Sequence, residues 1–584
     1  MGEGANPAIS KMKYEGQNSM FVRDGRLSIN TICGQFNENP PLVYQMDDQK
    51  QATVQAAFYV DSNEVGFALP NGYDAGKELV IDPELIFSTY SGSTADNWGF
   101  TATYDDDGNL YSGGIVLSSG YPVTNGVFQP IHAGEWDVGI LKYDPTGKNL
   151  VWATYLGGSF SETPQSIIVN SKGELVIYGT TSSPDFPMTA TAFNSTFLGG
   201  DPIIDTAGVA PRLVGGISMR NGTDIFLAKL SADGSTLTGA TLIGGSENDG
   251  IMERLTPLVK NYGDQFRGEV NLDKDDNIYV ASNTSSPDFL IKNGANSVYG
   301  GDLSDGVVMK FNEDLTELVW SSYVGGSGVD ALYSVKVDID GHVFVAGGSN
   351  SVDFPVSANA IKPQKPDASD IDGVVAKLKN DGTEILSSTY LGTSAYDQVY
   401  FLELDSSNQA YVLGQTQGNY PVSEGVYANA NSGQFVHKLS NELDSTFYTT
   451  TIGSGRGSPD FSPTAFLVNE CENIFICGWG GNLNNPGLGY NGGSTIGRPT
   501  TGNAFQAQTD GTDFYLMVLL QDAKQLLYGS FFGEFNGRGE HVDGGTSRFD
   551  KRGIVYQSVC GGCGGSSGFP TWPPDVWSTT NNST

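Results

Sequence analysis

The chain has 584 residues with 77 glycines and only 17% charged residues, a composition suited to tight turns and sheets rather than helices. Its 31 basic residues against 66 acidic ones give a formal net charge of −35, which argues against binding DNA, RNA or an anionic membrane by counterion release. No apolar run reaches the length of a membrane span, and residues 1–14 lack the apolar core of a signal peptide.

From residue 85 onward a motif returns at intervals of about 60 to 90 residues, a period that points to radially arranged sheets. It reads FSTYSGS at 87–93, ATYLGGS at 153–159, ATLIGGS at 240–246, SSYVGGS at 321–327, STYLGTS at 388–394, TTTIGSG at 449–455 and GSFFGEF at 529–535. Each small-residue loop leads into an apolar stretch, a turn rich in Asp, Asn and Gly, and a second apolar stretch, as in VNLDKDDNIYVAS at 270–282. That alternation predicts a β-hairpin. An aromatic-proline pair follows (Tyr121-Pro122, Phe186-Pro187, Phe354-Pro355, Tyr420-Pro421, Phe569-Pro570), where proline ends the pairing. A third strand such as DVGILKY at 137–143 and a polar turn then lead into the next small-residue motif, which is the fourth strand.

First strands near Thr103, Ile168, Val270, Val337, Leu404, Phe466 and Gly545 predict seven four-stranded blades. The strand at 85–90 precedes the first complete hairpin, so it is expected to complete the seventh blade and close the ring. The chain stops before a third strand of that blade, which predicts an open edge there and a chain that is part of a longer protein.

These segments (YLGG, D-x-x-G-N, D-F-P and A-F-Q-like runs) resemble the seven-bladed bacterial β-propeller repeat known as SBBP, over residues 85–584. The resemblance implies an all-β fold, with residues 1–84 as a small β-rich segment ending a preceding module. It also implies a large secreted or surface-attached protein of the kind found in gliding bacteria, with type IX secretion and adhesin-like modules. It implies no particular ligand.

Departures from the repeat mark the candidate binding face, because loops on a rigid scaffold carry recognition. They are an insertion at 194–222, an extension at 251–266 and a Gly/Asn-rich loop at 480–502, in which deleting residues 482–500 is expected to abolish attachment while leaving the melting temperature within a few degrees. Trp98, Trp136 and Trp479, with Asn482, Asn484, Asn485 and Tyr490, are the candidate binding residues for a protein or glycan partner. Trp152 and Trp320 recur at one position of the fourth strand and read as packing residues.

Five cysteines are present: Cys33, Cys471, Cys477, Cys560 and Cys563. Cys560 and Cys563 form a CxxC pair, open to a disulfide or to half a zinc site, with no second CxxC to complete one. The Asp-rich turns at 105–108, 273–277 and 338–341 are too short for a calcium loop and read as turns stabilised by Asp and Asn, so no cofactor is assigned. None of the four histidines stands in metal-ligand spacing or beside a nucleophile motif. The expected function is a non-enzymatic scaffold or adhesive module at the cell surface. The alternative is a carbohydrate-active enzyme, which needs convergent acids in a central channel.

Overall fold

The computed structural model describes residues 11–583 apart from 14–16, 24, 32–33, 39–40, 48–49, 76, 78, 83–84, 205–211, 367–369, 536–538 and 563–564. Chain contacts divide it into two units, one of Met1–Ile86 with Thr501–Ala507 and one of Phe87–Thr500 with Gln508–Thr584. Among its described residues the smaller unit has three three-stranded antiparallel sheets, and Leu27, Ile29, Phe58 and Val65 form an apolar cluster there.

The larger unit is a β-propeller. Blade one consists of Asn97–Tyr104, Leu110–Val116, Asp137–Tyr143 and Leu150–Leu156, each strand antiparallel to the next. Blades two to six repeat this order, beginning at Glu162, Glu269, Asp330, Asp397 and Ser462 and ending at Ile243, Val324, Leu391, Ile452 and Phe532. The first strand of each blade packs beside the first strand of the next, so these strands line the axis.

The structure corrects the expected blade count: among the described residues there are six four-stranded blades, not seven. Between the sixth and the first lies only a hairpin of Arg548–Phe549 and Val555–Tyr556, whose first strand packs against the inner strands of both neighbours. Full strands do not form there because the flanking chain is committed elsewhere. Thr546 N bonds Gln165 O, Gly545 N bonds Phe266 O, and a Cβ on Gly544 would stand 2.6 Å from the Phe266 side chain. The stretch at 87–90 does meet the end of the chain, through a Ser88–Trp572 bridge and a bond from Tyr90 N to Ser578 O.

The repeat motif has a physical cause at each position. In the hairpin turns, Asp105, Asp273, Asp338 and Asp405 accept the backbone N–H four residues on through Oδ1, at 2.8–3.0 Å. The other oxygen of Asp105 and of Asp405 meets Lys142 and Lys438 of the third strand, each at 3.1 Å. These carboxylates are therefore occupied by turn and strand. The motif tyrosine ties the fourth strand to the aromatic-proline loop: Tyr155 OH accepts from Tyr121 N at 3.1 Å, and Tyr390 OH accepts from Phe354 N at 3.1 Å and donates to Ser351 O at 2.7 Å.

Trp152 and Trp320 are buried, and each donates its indole N–H to a turn carbonyl of another blade, Ala232 O at 3.0 Å and Asn380 O at 3.2 Å. The turn glycines above them, Gly234 and Gly382, have φ of +69° and +74°, and a Cβ there would enter the indole rings.

The first glycine after the motif aromatic sits between two buried acids, one from the third strand of its own blade and one from the start of the next blade. A Cβ on Gly325 would lie 2.5 Å from Asp305 Oδ1 and 2.9 Å from Asp330 Oδ2. Gly157 stands likewise between Asp137 and Glu162 and Gly392 between Asp372 and Asp397, while Gly244 stands between Asp224 and Asp249, which precedes the first strand of blade three and bridges Thr284 of that blade.

Candidate functional site

Residues 251–267 leave blade two and cross the axis before entering blade three. Leu258 O accepts from Gln398 Nε2 at 3.1 Å, and Asn261 Nδ2 donates to Tyr400 OH at 2.9 Å and Gln415 Oε1 at 3.1 Å, all on blade five. Arg267 Nη2 donates to Ser462 Oγ of blade six at 3.0 Å, and the Phe266 ring packs edge-on against Phe100 of blade one at 5.6 Å. Only a segment lying on the axis reaches these blades together. Its buried acid is held from both sides: Tyr400 OH of the ring donates to Asp264 Oδ2 at 2.9 Å, and the plug's own Arg267 Nε lies 3.3 Å from Asp264 Oδ1. Burial nevertheless pushes the Asp264 carboxyl upward, against the pull of Arg267.

The other two insertions join this plug. From 194–222, Val214 N donates to Gln265 Oε1 at 2.7 Å, Gln265 Nε2 donates to Arg212 O at 2.7 Å, and Arg212 Nε pairs with Glu253 at 2.6 Å. Leu213, Val214 and Ile217 share an apolar cluster with Phe100, Ile251 and Phe266. From 480–500, Asn491 N donates to Lys260 O at 2.6 Å, and Asn484 Oδ1 accepts from Tyr262 N at 2.8 Å. The three departures from the repeat thus build one cap. Each leaves an aliphatic side chain outside it: Ile204 is 41% exposed, Leu255 93% and Leu488 45%.

The candidate binding residues divide between the plug and the surface. Trp98 and Trp136 are half-buried and pack edge-on at 5.2 Å. Trp479 is only 1% exposed, sealed by Tyr262 and His541 at ring distances of 6.3 and 5.7 Å, so it is no platform for a sugar. Asn484 and Tyr490 are buried in the plug, and Tyr490 stands 6.0 Å from Tyr262. Asn482 and Asn485 are exposed, and Asn485 caps a short turn by accepting from Gly487 N at 2.8 Å.

Further down the axis, ion pairs fill the space between inner strands. Lys336 Nζ holds Glu269 Oε1 at 2.7 Å and Glu403 Oε1 at 3.0 Å, while Arg548 Nη1 holds Glu269 at 3.3 Å. Burial alone would raise Glu269, but Lys336 and Arg548 hold its carboxyl below the usual range; in Glu403 burial prevails over Lys336 and pushes it up.

Among the described residues, two sets bring three metal-ligand atoms within 4.8 Å of one another. Asp338, Asp340 and His342 belong to a hairpin turn, where Asp338 Oδ1 already accepts from Asp340 N and His342 N. His541, Asp543 and Cys560 lie beside Tyr262 in the ring's closing sector. Sequence spacing misses the second set because Cys560 meets the others only through strand pairing. Cys471 and Cys477 are free thiols, exposed and buried respectively, whereas Cys33 and Cys563, and with Cys563 the CxxC disulfide, lie outside the described residues.

Residues 1–84 match a domain of unknown function, DUF7948. No curated protein matches the chain. Similar solved structures include a protein of unknown function from Dyadobacter fermentans (10% identity, TM-score 0.33, covering 68% of this chain and 92% of that one). A polysaccharide lyase of family PL25, an ulvan lyase, has 10% identity and a TM-score of 0.39, covering 81% and 95%. The NanB sialidase of Streptococcus pneumoniae has 11% identity and a TM-score of 0.35, covering 79% and 87%. At such identities and scores these likenesses say nothing about its chemistry.

Proposed function

We propose that the chain is a non-enzymatic β-propeller module, a scaffold that binds a protein or glycan partner through its capped face within a larger secreted or cell-surface protein. The observation that carries this reading is the plug. A propeller enzyme acting on a polymer needs an open axial funnel, whereas here Leu258, Asp264, Phe266 and Arg267 cross the axis fully buried. The cap offers instead a rigid surface with exposed Ile204, Leu255 and Leu488 set among polar loops. Read this way, the repeat is of the SBBP kind, and the hairpin at 548–556 with the extended stretch at 87–90, bridged at Ser88, stands for a reduced seventh blade. A surface location fits the glycine-rich, acidic composition, which keeps an exported protein soluble.

The enzyme reading rests on Glu269 and Glu403, two acids facing the same axis. Lys336 joins both, which leaves neither as a free base. One experiment separates the readings: the purified chain is screened for binding and for cleavage on a panel of glycans and on surface proteins. Binding without turnover, lost in a Leu255→Asp/Leu488→Asp double variant with an unchanged melting temperature, is the expected result. Cleavage of any glycan that disappears in Glu403→Gln overturns it.

A further inference from the structure

His541 and Asp543 lie two residues apart on extended chain, so their side chains fall on the same side. An antiparallel bridge sets Cys560 opposite His541, with Cys560 N donating to His541 O at 2.9 Å. One ligand atom from each of the three residues lies within 4.8 Å of the other two. His541 Nε2 is 3.3 Å from Asp543 Oδ1, which also accepts from Tyr262 OH at 3.1 Å. The second oxygen of Asp543 is buried and has no hydrogen-bond partner, although the residue is only 1% exposed. A buried carboxylate oxygen left without a donor is destabilising unless something else meets it. The rings of Tyr262 and Trp479 stand 5.4 and 5.7 Å from the imidazole and wall the cluster.

We propose that His541, Asp543 and Cys560 bind a divalent metal ion of the zinc class. Imidazole nitrogen and thiolate sulfur beside one carboxylate suit a borderline cation, whereas calcium and magnesium take all-oxygen sets. The free oxygen of Asp543 supplies the carboxylate ligand, and the Tyr262 hydroxyl orients that group through its other oxygen, as outer-sphere partners do. Cys560 binds as the thiolate, so loading releases the thiol proton to solvent and affinity falls with acidity.

The location gives the ion a structural task. Elsewhere in the ring, ladders of four to eight residues hold each blade together, but the closing sector has strands of two residues. A bond from the ion to both sides of the His541–Cys560 bridge clips that sector shut. This inference is independent of what the capped face binds.

The test uses the whole chain, purified with a non-metal-binding reductant, stripped by a chelator and titrated with zinc chloride and, separately, with cobalt(II). The expected result is about one equivalent of zinc per chain, a melting temperature several degrees higher in the loaded form, and a thiolate-to-cobalt charge-transfer band. Cys560→Ser and His541→Gln should lose the band and the shift, while Cys471→Ser and His342→Gln retain both. The wild-type cobalt spectrum stands even if a variant fails to fold. Absence of stoichiometric metal in the wild type, a cobalt spectrum without a sulfur band, or retention of the metal by Cys560→Ser overturns the proposal.

Discussion

Two blade junctions, built on the same backbone motif, neutralise their buried acid in different ways. Between blades three and four, Asp305 and Asp330 converge on Gly325, no basic side chain among the described residues pairs with either, and burial pushes Asp305 up to about 7. Between blades five and six, the third strand begins with Gln434 in place of the first acid. Asp460 there is held by Arg498 Nη1 at 3.2 Å and Arg456 Nε at 2.7 Å. Arg498 is itself buried, its guanidinium over the rings of Phe461 and Tyr515 at 4.4 and 4.3 Å. One junction reduces its charge by holding protons up to near-neutral pH, the other by pairing its acid with guanidinium cations. The motif therefore requires charge balance at this depth, not a particular residue.

The largest effect that sharpens this contrast is expected from Arg498→Met. It strands Asp460 in the interior with only the half-buried Arg456, and removal of one partner from a buried pair costs about 3–5 kcal/mol. Chemical denaturation of the variant measures it directly. Asp305→Asn should cost under about 1.5 kcal/mol, since an amide of the same shape replaces a carboxyl that burial has pushed up to about 7 and that no cation holds. Equal losses in the two variants would break the comparison. The same reasoning removes the expectation that residues 482–500 can be deleted harmlessly, because that stretch contributes Arg498, Asn484 and Thr495 to the interior.

Arg498 also shows where sequence reading succeeds and fails. Asp-containing turns and the recurring small-residue motif placed the first and fourth strands of blades one to six, because those signals are local: Asp105 bonds a backbone N–H four residues away. The packing roles of Trp152 and Trp320 were likewise visible from their recurrence. The junction acids were not, because each pair comes from different repeats and meets only across a glycine. Residues 251–266 read only as an extension departing from the repeat, whereas 258–266 are largely buried and the polarity of Asn261, Asp264 and Gln265 is satisfied by partners on other elements. The closing sector looked like a blade because 545–559 carries hairpin spacing, yet Gly544 and Gly545 are packed against Phe266 and Gln165 and leave no room for longer strands.

A smaller effect is expected from Gly325→Ala. The added Cβ would press on Asp305 Oδ1 at 2.5 Å and Asp330 Oδ2 at 2.9 Å, and both carboxyls are anchored, Asp305 through its other oxygen by Gly300 N and Asp330 by Gly326 N. Overpacking of this kind costs about 1–3 kcal/mol. Thermal unfolding should show the loss, and an unchanged melting temperature would mean that the two carboxyls are free to move apart.

The finest test is the pH dependence of stability. Burial raises Glu162 to about 8 and Asp305 and Asp397 each to about 7, whereas in an unfolded chain such groups titrate near 4. Between those limits the folded chain binds more protons than the unfolded one, so unfolding free energy falls as pH rises. The contribution of these acids is complete below about pH 4 and disappears as pH passes through 7 to 8. Glu269 has the opposite sign, since Lys336 and Arg548 overcome its burial and hold it below the usual range, so its contribution is lost only in acid. Denaturation measured from pH 5 to 8 should therefore show declining stability. Glu162→Gln should flatten the decline by removing one titrating junction while leaving the guanidinium-held junction untouched. A slope unchanged by Glu162→Gln would show that the carboxyl is ionised throughout, and the proton-held half of the comparison would fail.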